Sequence, residues 1–184
     1  NCNFTENINL AYNEYNVSGL DEPYYYGASI INNTGTLSIN NSIFKENEGR
    51  GYGGAIRSMK GSIFIANSKF DGNFVCNAPE VVNRGGALYL RNSKANICYS
   101  TFANNEAKSG GAISLEGSNI IINKSRFNNN SAQVGGAIRI SNLYNEYDSL
   151  ISKSTAQIKN SNFLLNYGIY GGGAIYNECI LNIT

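Results

Sequence analysis

Two short motifs alternate along this chain at near-constant spacing, and that alternation limits the fold more than any other feature. Gly-Gly-Ala followed by Ile or Leu begins at Gly53, Gly85, Gly110, Gly135 and Gly172, with a worn copy at Gly27-Ala28-Ser29-Ile30. Phe-x-x-Asn runs Phe4–Asn7, Phe44–Asn47, Phe70–Asn73, Phe102–Asn105, Phe127–Asn130 and Phe163–Asn166. The first Gly precedes the Phe by 17 positions at four sites, and the Phe precedes the next Gly pair by 8 or 9 positions at four sites. The period is therefore about 25 residues, a length typical of architectures in which each unit buries its apolar face against its neighbours.

Within a unit, apolar residues alternate. Ile56 is followed by Ile63 and Ile65, and the same columns hold Leu37 and Ile39, Ile120 and Ile122, and Ala156 and Ile158. Alternating β-branched residues cut by Gly, Asn and Ser predict short strands, and no segment carries helical periodicity over three turns. Three strands per unit cannot form a self-sufficient hairpin protein, whereas stacked coils pair each strand with its equivalent above and below. The expectation is an all-β, right-handed parallel β-helix solenoid of about six coils, running as one segment over residues 1–184 of a longer protein. Its interior would hold a ladder of the six Phe and a ladder of Ile30, Ile56, Leu88, Ile113, Ile138 and Ile175. Cys2, Ser42, Ser68, Ser100, Ser125 and Ser161 would form a small inward column, with Cys2 buried. The Asn of each Phe-x-x-Asn would turn the chain, using its tolerance of left-handed backbone and a side-chain amide that reaches the next coil.

Composition removes several functions. The chain has no His, so no Ser-His-Asp or Cys-His site and no His-ligated metal can be built from it. Asn is abundant but Asp occurs only at Asp21, Asp71 and Asp148, too sparsely for a calcium cage. The net charge of +1 offers no field to hold nucleic acid. No apolar run reaches the length of about 18 residues that a membrane span needs. No cofactor is expected, and the chain reads as a mature or excised piece without a signal peptide.

Gly-Gly-Ala-Ile alternating with Phe-x-x-Asn resembles the repeat of chlamydial polymorphic outer-membrane proteins. It is also similar to repeats of adhesin-like β-helix surface proteins of methanogenic archaea and of protists. The resemblance covers nearly the whole chain. It implies a right-handed β-helix displayed outside the cell or at its surface, often for adhesion, and it brings no catalytic residues.

Function in such stacks collects where the repeat departs from itself. Three insertions do so, at 8–26, 74–83 and 142–153. The first two leave the same corner and flank the short connection at 48–52, so they are expected to wall a concavity. The predicted ligand-binding set is Tyr12, Tyr15, Asp21, Glu22, Tyr24, Tyr25, Tyr26 and Tyr52: flat faces with hydroxyls for sugar rings or protein hot spots, and carboxylates to accept hydrogen bonds. These tyrosines would alternatively pack the loops against the solenoid. The third insertion repeats the text as Tyr144-Asn145-Glu146-Tyr147-Asp148.

A further column, Ile31, Arg57, Tyr89, Ser114, Arg139 and Tyr176, should point outward as a solvated sheet face, with Arg91 and Glu116 adjacent two positions on. That face is the second candidate for binding a polysaccharide or partner. Cys76, in the second insertion, is placed to bridge Cys98. Asn16 is the most accessible Asn-x-Ser/Thr glycosylation site.

The expected function is a non-catalytic, extracellular binding module directed at glycans or surface proteins. A structural subunit that stacks end to end in a filament or matrix is the alternative. A polysaccharide lyase or hydrolase ranks below both, because no coil presents the paired carboxylates such chemistry requires.

Overall fold

The computed structural model describes residues 2–9, 29–76 and 83–184. Its architecture is three six-stranded parallel sheets that wrap one narrow core. The chain visits the sheets in rotation. One sheet comprises Asn3–Thr5, Ile43–Lys45, Lys69–Asp71, Thr101–Ala103, Arg126–Asn128 and Asn162–Leu164, and is here called the aromatic sheet. The glycine sheet follows each Gly-Gly-Ala, at Ile30–Asn33, Ile56–Met59, Leu88–Arg91, Ile113–Glu116, Ile138–Ser141 and Ile175–Asn177. The third sheet comprises Thr36–Asn40, Ser62–Ala66, Lys94–Cys98, Asn119–Asn123, Thr155–Lys159 and Ile180–Ile183. Neighbours in each sheet are successive coils, so the chain is a parallel β-helix solenoid.

Register places like on like. Phe4 pairs with Phe44, Phe44 with Phe70, Phe70 with Phe102, Phe102 with Phe127 and Phe127 with Phe163. Ring centroids are 4.6–5.0 Å apart and ring planes lie within 2–5° of parallel. That spacing is the inter-strand distance of about 4.7–4.9 Å. It exceeds the optimal carbon contact of about 3.5–4.0 Å, so the parallel rings are slid sideways into offset stacking. The aliphatic ladder forms as expected, with Ile56, Leu88, Ile113 and Ile138 fully buried.

Polar ladders line the turns. The Asn105 amide donates to Asn130 Oδ1 at 2.9 Å and to the Phe70 carbonyl at 3.1 Å, while its own Oδ1 accepts from the backbone N–H and amide of Asn73, each at 3.0 Å. Asn7, Asn47, Asn73, Asn130 and Asn166 continue the chain of bonds. The left-handed residue is not the ladder Asn, as the sequence reading had it, but the one before it: Glu6, Glu46, Gly72, Asn104, Asn129 and Leu165 all have φ between 53° and 65°. The turn is thus made by one residue, and the next spends its amide on satisfying the turn's backbone groups. Ser42, Ser68, Ser100 and Ser125 each receive or give a backbone-to-hydroxyl bond across coils. A second serine ladder, Ser93–Ser118–Ser154, does the same between the glycine sheet and the third sheet.

The Gly pair meets two separate demands, shown by Gly110 and Gly111. Gly110 has φ +63°, and a Cβ on Gly111 would collide with the Gly136 carbonyl of the next coil. The first glycine supplies a left-handed bend and the second lets coils approach.

The insertions at 8–26 and 74–83 both leave from one small parallel sheet, Ile8–Asn9, Glu48–Gly49 and Phe74–Val75. The third insertion folds as an antiparallel pair, Leu143–Tyr144 with Leu150–Ser152. Its tip is held by Asn145 Oδ1, which accepts from the N–H groups of Tyr147 and Ser149 at 3.0 and 2.8 Å.

Two cysteine expectations are corrected. Cys76 and Cys98 are both free thiols. Cys98 closes a strand of the third sheet, whereas Cys76 lies beyond the corner strand Phe74–Val75 with its N–H bound to the Gly49 carbonyl. The aromatic sheet lies between these positions along each coil, which separates the two sulfurs. Cys2 is exposed rather than buried, having a neighbouring coil on one side only.

Candidate functional site

The register brings Ile31, Arg57, Tyr89, Ser114, Arg139 and Tyr176 into one line on the outer face of the glycine sheet. That face is not the solvated surface predicted from alternation. Tyr89 is 1% exposed, Ser114 0%, Arg57 5% and Glu116 6%. Tyr52 packs over it from the corner: its ring centroid lies 4.5 Å from that of Tyr89, and the Arg57 guanidinium sits 5.4 Å from the Tyr52 centroid, in cation–π range. From the other side the hairpin insertion folds down, with Ser152 Oγ donating to the Gly117 carbonyl at 3.0 Å and Leu143 buried.

Glu116 is the centre of this covered face. Its Oε2 accepts a 2.5 Å hydrogen bond from the Tyr89 hydroxyl. Its Oε1 forms an ion pair with Arg84, and Arg139 approaches the same oxygen at 3.9 Å. Arg91 is the register partner of Glu116, as the sequence implied, and Arg84 and Tyr89 engage the same carboxylate. Arg84 arrives through a backbone bridge that links it to Tyr52 in one coil and Ser109 in another. A carboxylate withdrawn from water is stable only when paired and hydrogen-bonded, and this one is both.

Beside Glu116 lies a cavity of about 250 Å³, walled by the arginines, Glu178 and the first residues of the hairpin, including Asn142 and Tyr144. Tyr144 is 47% exposed at its rim. Another groove, of about 330 Å³, crosses the outer face of the third sheet beside the half-exposed Phe64 and Ile121.

Of the predicted ligand-binding residues, Tyr52 is described and lies between the corner and the glycine sheet, buried to 8% exposure. Tyr12, Tyr15, Asp21, Glu22, Tyr24, Tyr25 and Tyr26 lie outside the described residues, as does Asn16. Sequence reasoning missed Arg84. The available signal was its place immediately before a Gly pair, where Tyr52 also stands one coil earlier. Among the described residues no three His, Cys, Asp or Glu side chains are grouped to hold a metal ion, and no helix is long and apolar enough to cross a membrane.

No curated protein and no solved structure matches the chain significantly. Residues 99–116 match the Chlamydia polymorphic membrane protein repeat. The matched stretch holds Phe102–Asn105 and Gly110–Ile113, and the same two motifs stack in register above and below it. The chain therefore carries a repeat of the polymorphic membrane protein kind, which points to a repeat protein of the outer membrane or cell surface.

Proposed function

We propose that this chain is an extracellular, non-catalytic β-helix module of an adhesin-like surface protein. It binds glycans or partner proteins through the corner formed by residues 8–26, Tyr52 and residues 74–83, with the buried Tyr52 bracing the corner against Tyr89 rather than offering a face to ligand. The observation that carries this reading is the repeat match at residues 99–116, whose two motifs recur in the same register along the stack.

The distribution of chemistry supports it. Phe, Ser, Asn and Gly ladders commit the coils to holding one another, and variable side chains are left to the corners and insertions. Both oxygens of the buried Glu116 are engaged, one by Arg84 and one by the Tyr89 hydroxyl, which supports a structural rather than a catalytic role for it. Tyrosine-bearing insertions on a rigid frame suit recognition rather than turnover.

The test is binding of the full chain to a glycan array and to host-type cells, with Tyr12, Tyr24, Tyr25 and Tyr26 replaced singly by Ala. Loss of binding on Tyr→Ala supports the corner. Incubation with pectin, alginate and chitin-type polymers should release no oligosaccharide. Depolymerisation that is abolished by Glu14→Gln or Glu22→Gln would overturn the non-catalytic reading.

A further inference from the structure

We propose that the cavity beside Glu116 is a recognition pocket for a carboxylate-bearing sugar unit of a glycan, with Arg139 as the anion ligand and Tyr144 as the stacking face. The inference rests on the binding-module reading above and names a ligand class for it.

Arg139 is the first reason. Its side chain is only 18% exposed, yet its carboxylate neighbours Glu116 and Glu178 stand 3.9 and 3.7 Å away, beyond hydrogen-bond reach. Among the described residues its guanidinium donates to no acceptor. Arg139 is thus held at ion-pair distance by two carboxylates but hydrogen-bonded by neither, and a ligand carboxylate would match its fork in two parallel bonds. Glu116 cannot turn to supply them, because Arg84 and the Tyr89 hydroxyl hold its two oxygens. Glu178 is 41% exposed and free to swing into solvent as a ligand carboxylate enters.

The rim is the second reason. Asn142 Oδ1 accepts from the Ser154 N–H at 3.1 Å and from Cys179 Sγ at 3.1 Å, which fixes its amide. That amide donates to the Tyr144 hydroxyl at 3.4 Å and so steadies a half-exposed aromatic ring at the mouth. A ring held in advance contributes affinity without ordering cost. The apolar face of a sugar ring covers such a surface, whereas an unbranched acidic side chain would reach Arg139 and leave Tyr144 unused. Size agrees: about 250 Å³ falls below the roughly 300–1,000 Å³ of pockets for drug-sized ligands, which suits one substituted ring at the end or side of a glycan.

The experiment is calorimetry and amide shift mapping of the full chain with glucuronate, N-acetylneuraminate, glucose, acetate and a glutamate-rich peptide. Both sugar acids should bind, with shifts centred on Arg139 and Tyr144. Arg139→Gln and Tyr144→Ala should each weaken them about tenfold or more, and Arg139→Lys less. Glucose should bind at least about tenfold more weakly than glucuronate. If Arg139→Gln melts early, Tyr144→Ala decides, since its ring lies on the hairpin surface.

Equal affinity for glucose and glucuronate, or sugar-acid binding unchanged in both variants, overturns the proposal. Acetate that displaces the sugar acids at equal concentration reduces the pocket to a simple anion site and also overturns it. Tighter binding of the glutamate-rich peptide reassigns the pocket to a protein partner. If the chain binds neutral glycans on the array but no sugar acid, the pocket fails alone; if it binds no glycan of either kind, the glycan reading of the module fails with it.

Discussion

Tyr89 donates its phenolic hydrogen to Glu116, one coil further along the glycine sheet, across 2.5 Å and with both side chains removed from water. Tyr89→Phe keeps the ring and deletes the donor, leaving the carboxylate short of one bond. The expected cost is about 1–3 kcal/mol, measured as a lower urea midpoint with an unchanged slope. Glu116→Ala should cost more, about 3–5 kcal/mol, because Arg84 then remains half-buried without its carboxylate.

The ladders give a sharper comparison. Asn105→Asp changes an NH₂ to an oxygen and almost nothing else in shape. The carboxylate can donate neither to Asn130 Oδ1, which keeps only the Asn105 N–H, nor to the Phe70 carbonyl, so two buried acceptors each lose a bond and a carboxylate stands where the amide was. Lost bonds together with a buried, unpaired charge should rival the roughly 3–5 kcal/mol expected for Phe102→Ala. Denaturant unfolding of the two variants beside the parent checks both. An Asn105→Asp variant as stable as the parent would mean the amide bonds are not holding the turns.

Acid sensitivity has a specific contributor in Asp71. Burial pushes its carboxyl up, but hydrogen bonds from Lys69 and Asn104, both 2.7 Å, outweigh it and bring the pKa below the ordinary 3.8. The folded state therefore holds this proton less readily than the unfolded chain. Its stabilisation is complete above the unfolded value and is lost as pH falls through the lower folded value. After screening by solvent, Asp71→Asn should cost about 0.3–1 kcal/mol near neutrality and nothing once the carboxyl is protonated in the folded as well as the unfolded chain. Unfolding midpoints across that range provide the measurement.

The thiols offer a chemical test. Burial pushes the Cys76 and Cys179 thiols above the ordinary 9.0, with the Glu48 charge adding at Cys76. The thiolate is the reactive form, so iodoacetamide should modify exposed Cys2 well before either. Under denaturing, non-reducing conditions four free thiols should be counted. Two fewer would restore a bridge.

The interior was legible because stacked coils demand identity. A Phe ring is best covered by another Phe in the same place, so Phe44, Phe70, Phe102 and Phe127 could be read as one column from spacing alone. The serine ladder of Ser93, Ser118 and Ser154 carried the same kind of signal, seven positions ahead of Ser100, Ser125 and Ser161, but was overshadowed by the neighbouring Gly61 and Gly35. The outer face of the glycine sheet was not legible. Alternation shows that Tyr89 and Arg139 point away from the axis. It is silent on whether Tyr52 or the hairpin at 142–153 folds back over them, since that depends on contacts between elements of unrelated pattern. The left-handed turn residues were misplaced by one for a similar reason: Glu46 and Leu165 adopt that geometry because the Asn that follows rewards it, against their own preference.

Because every rung meets the same chemistry above and below, the number of coils is a free variable of this design. Duplicating or excising one unit would leave each remaining Phe still facing a Phe and each Asn amide still facing an Asn carbonyl. Chain length could then change by unequal exchange between near-identical gene segments without a folding penalty at the junction. Reach would grow in steps of about 4.8 Å per unit. Substitution inside a coil enjoys no such freedom, so lineages carrying this architecture should differ in height and in their corner loops long before they differ along the axis.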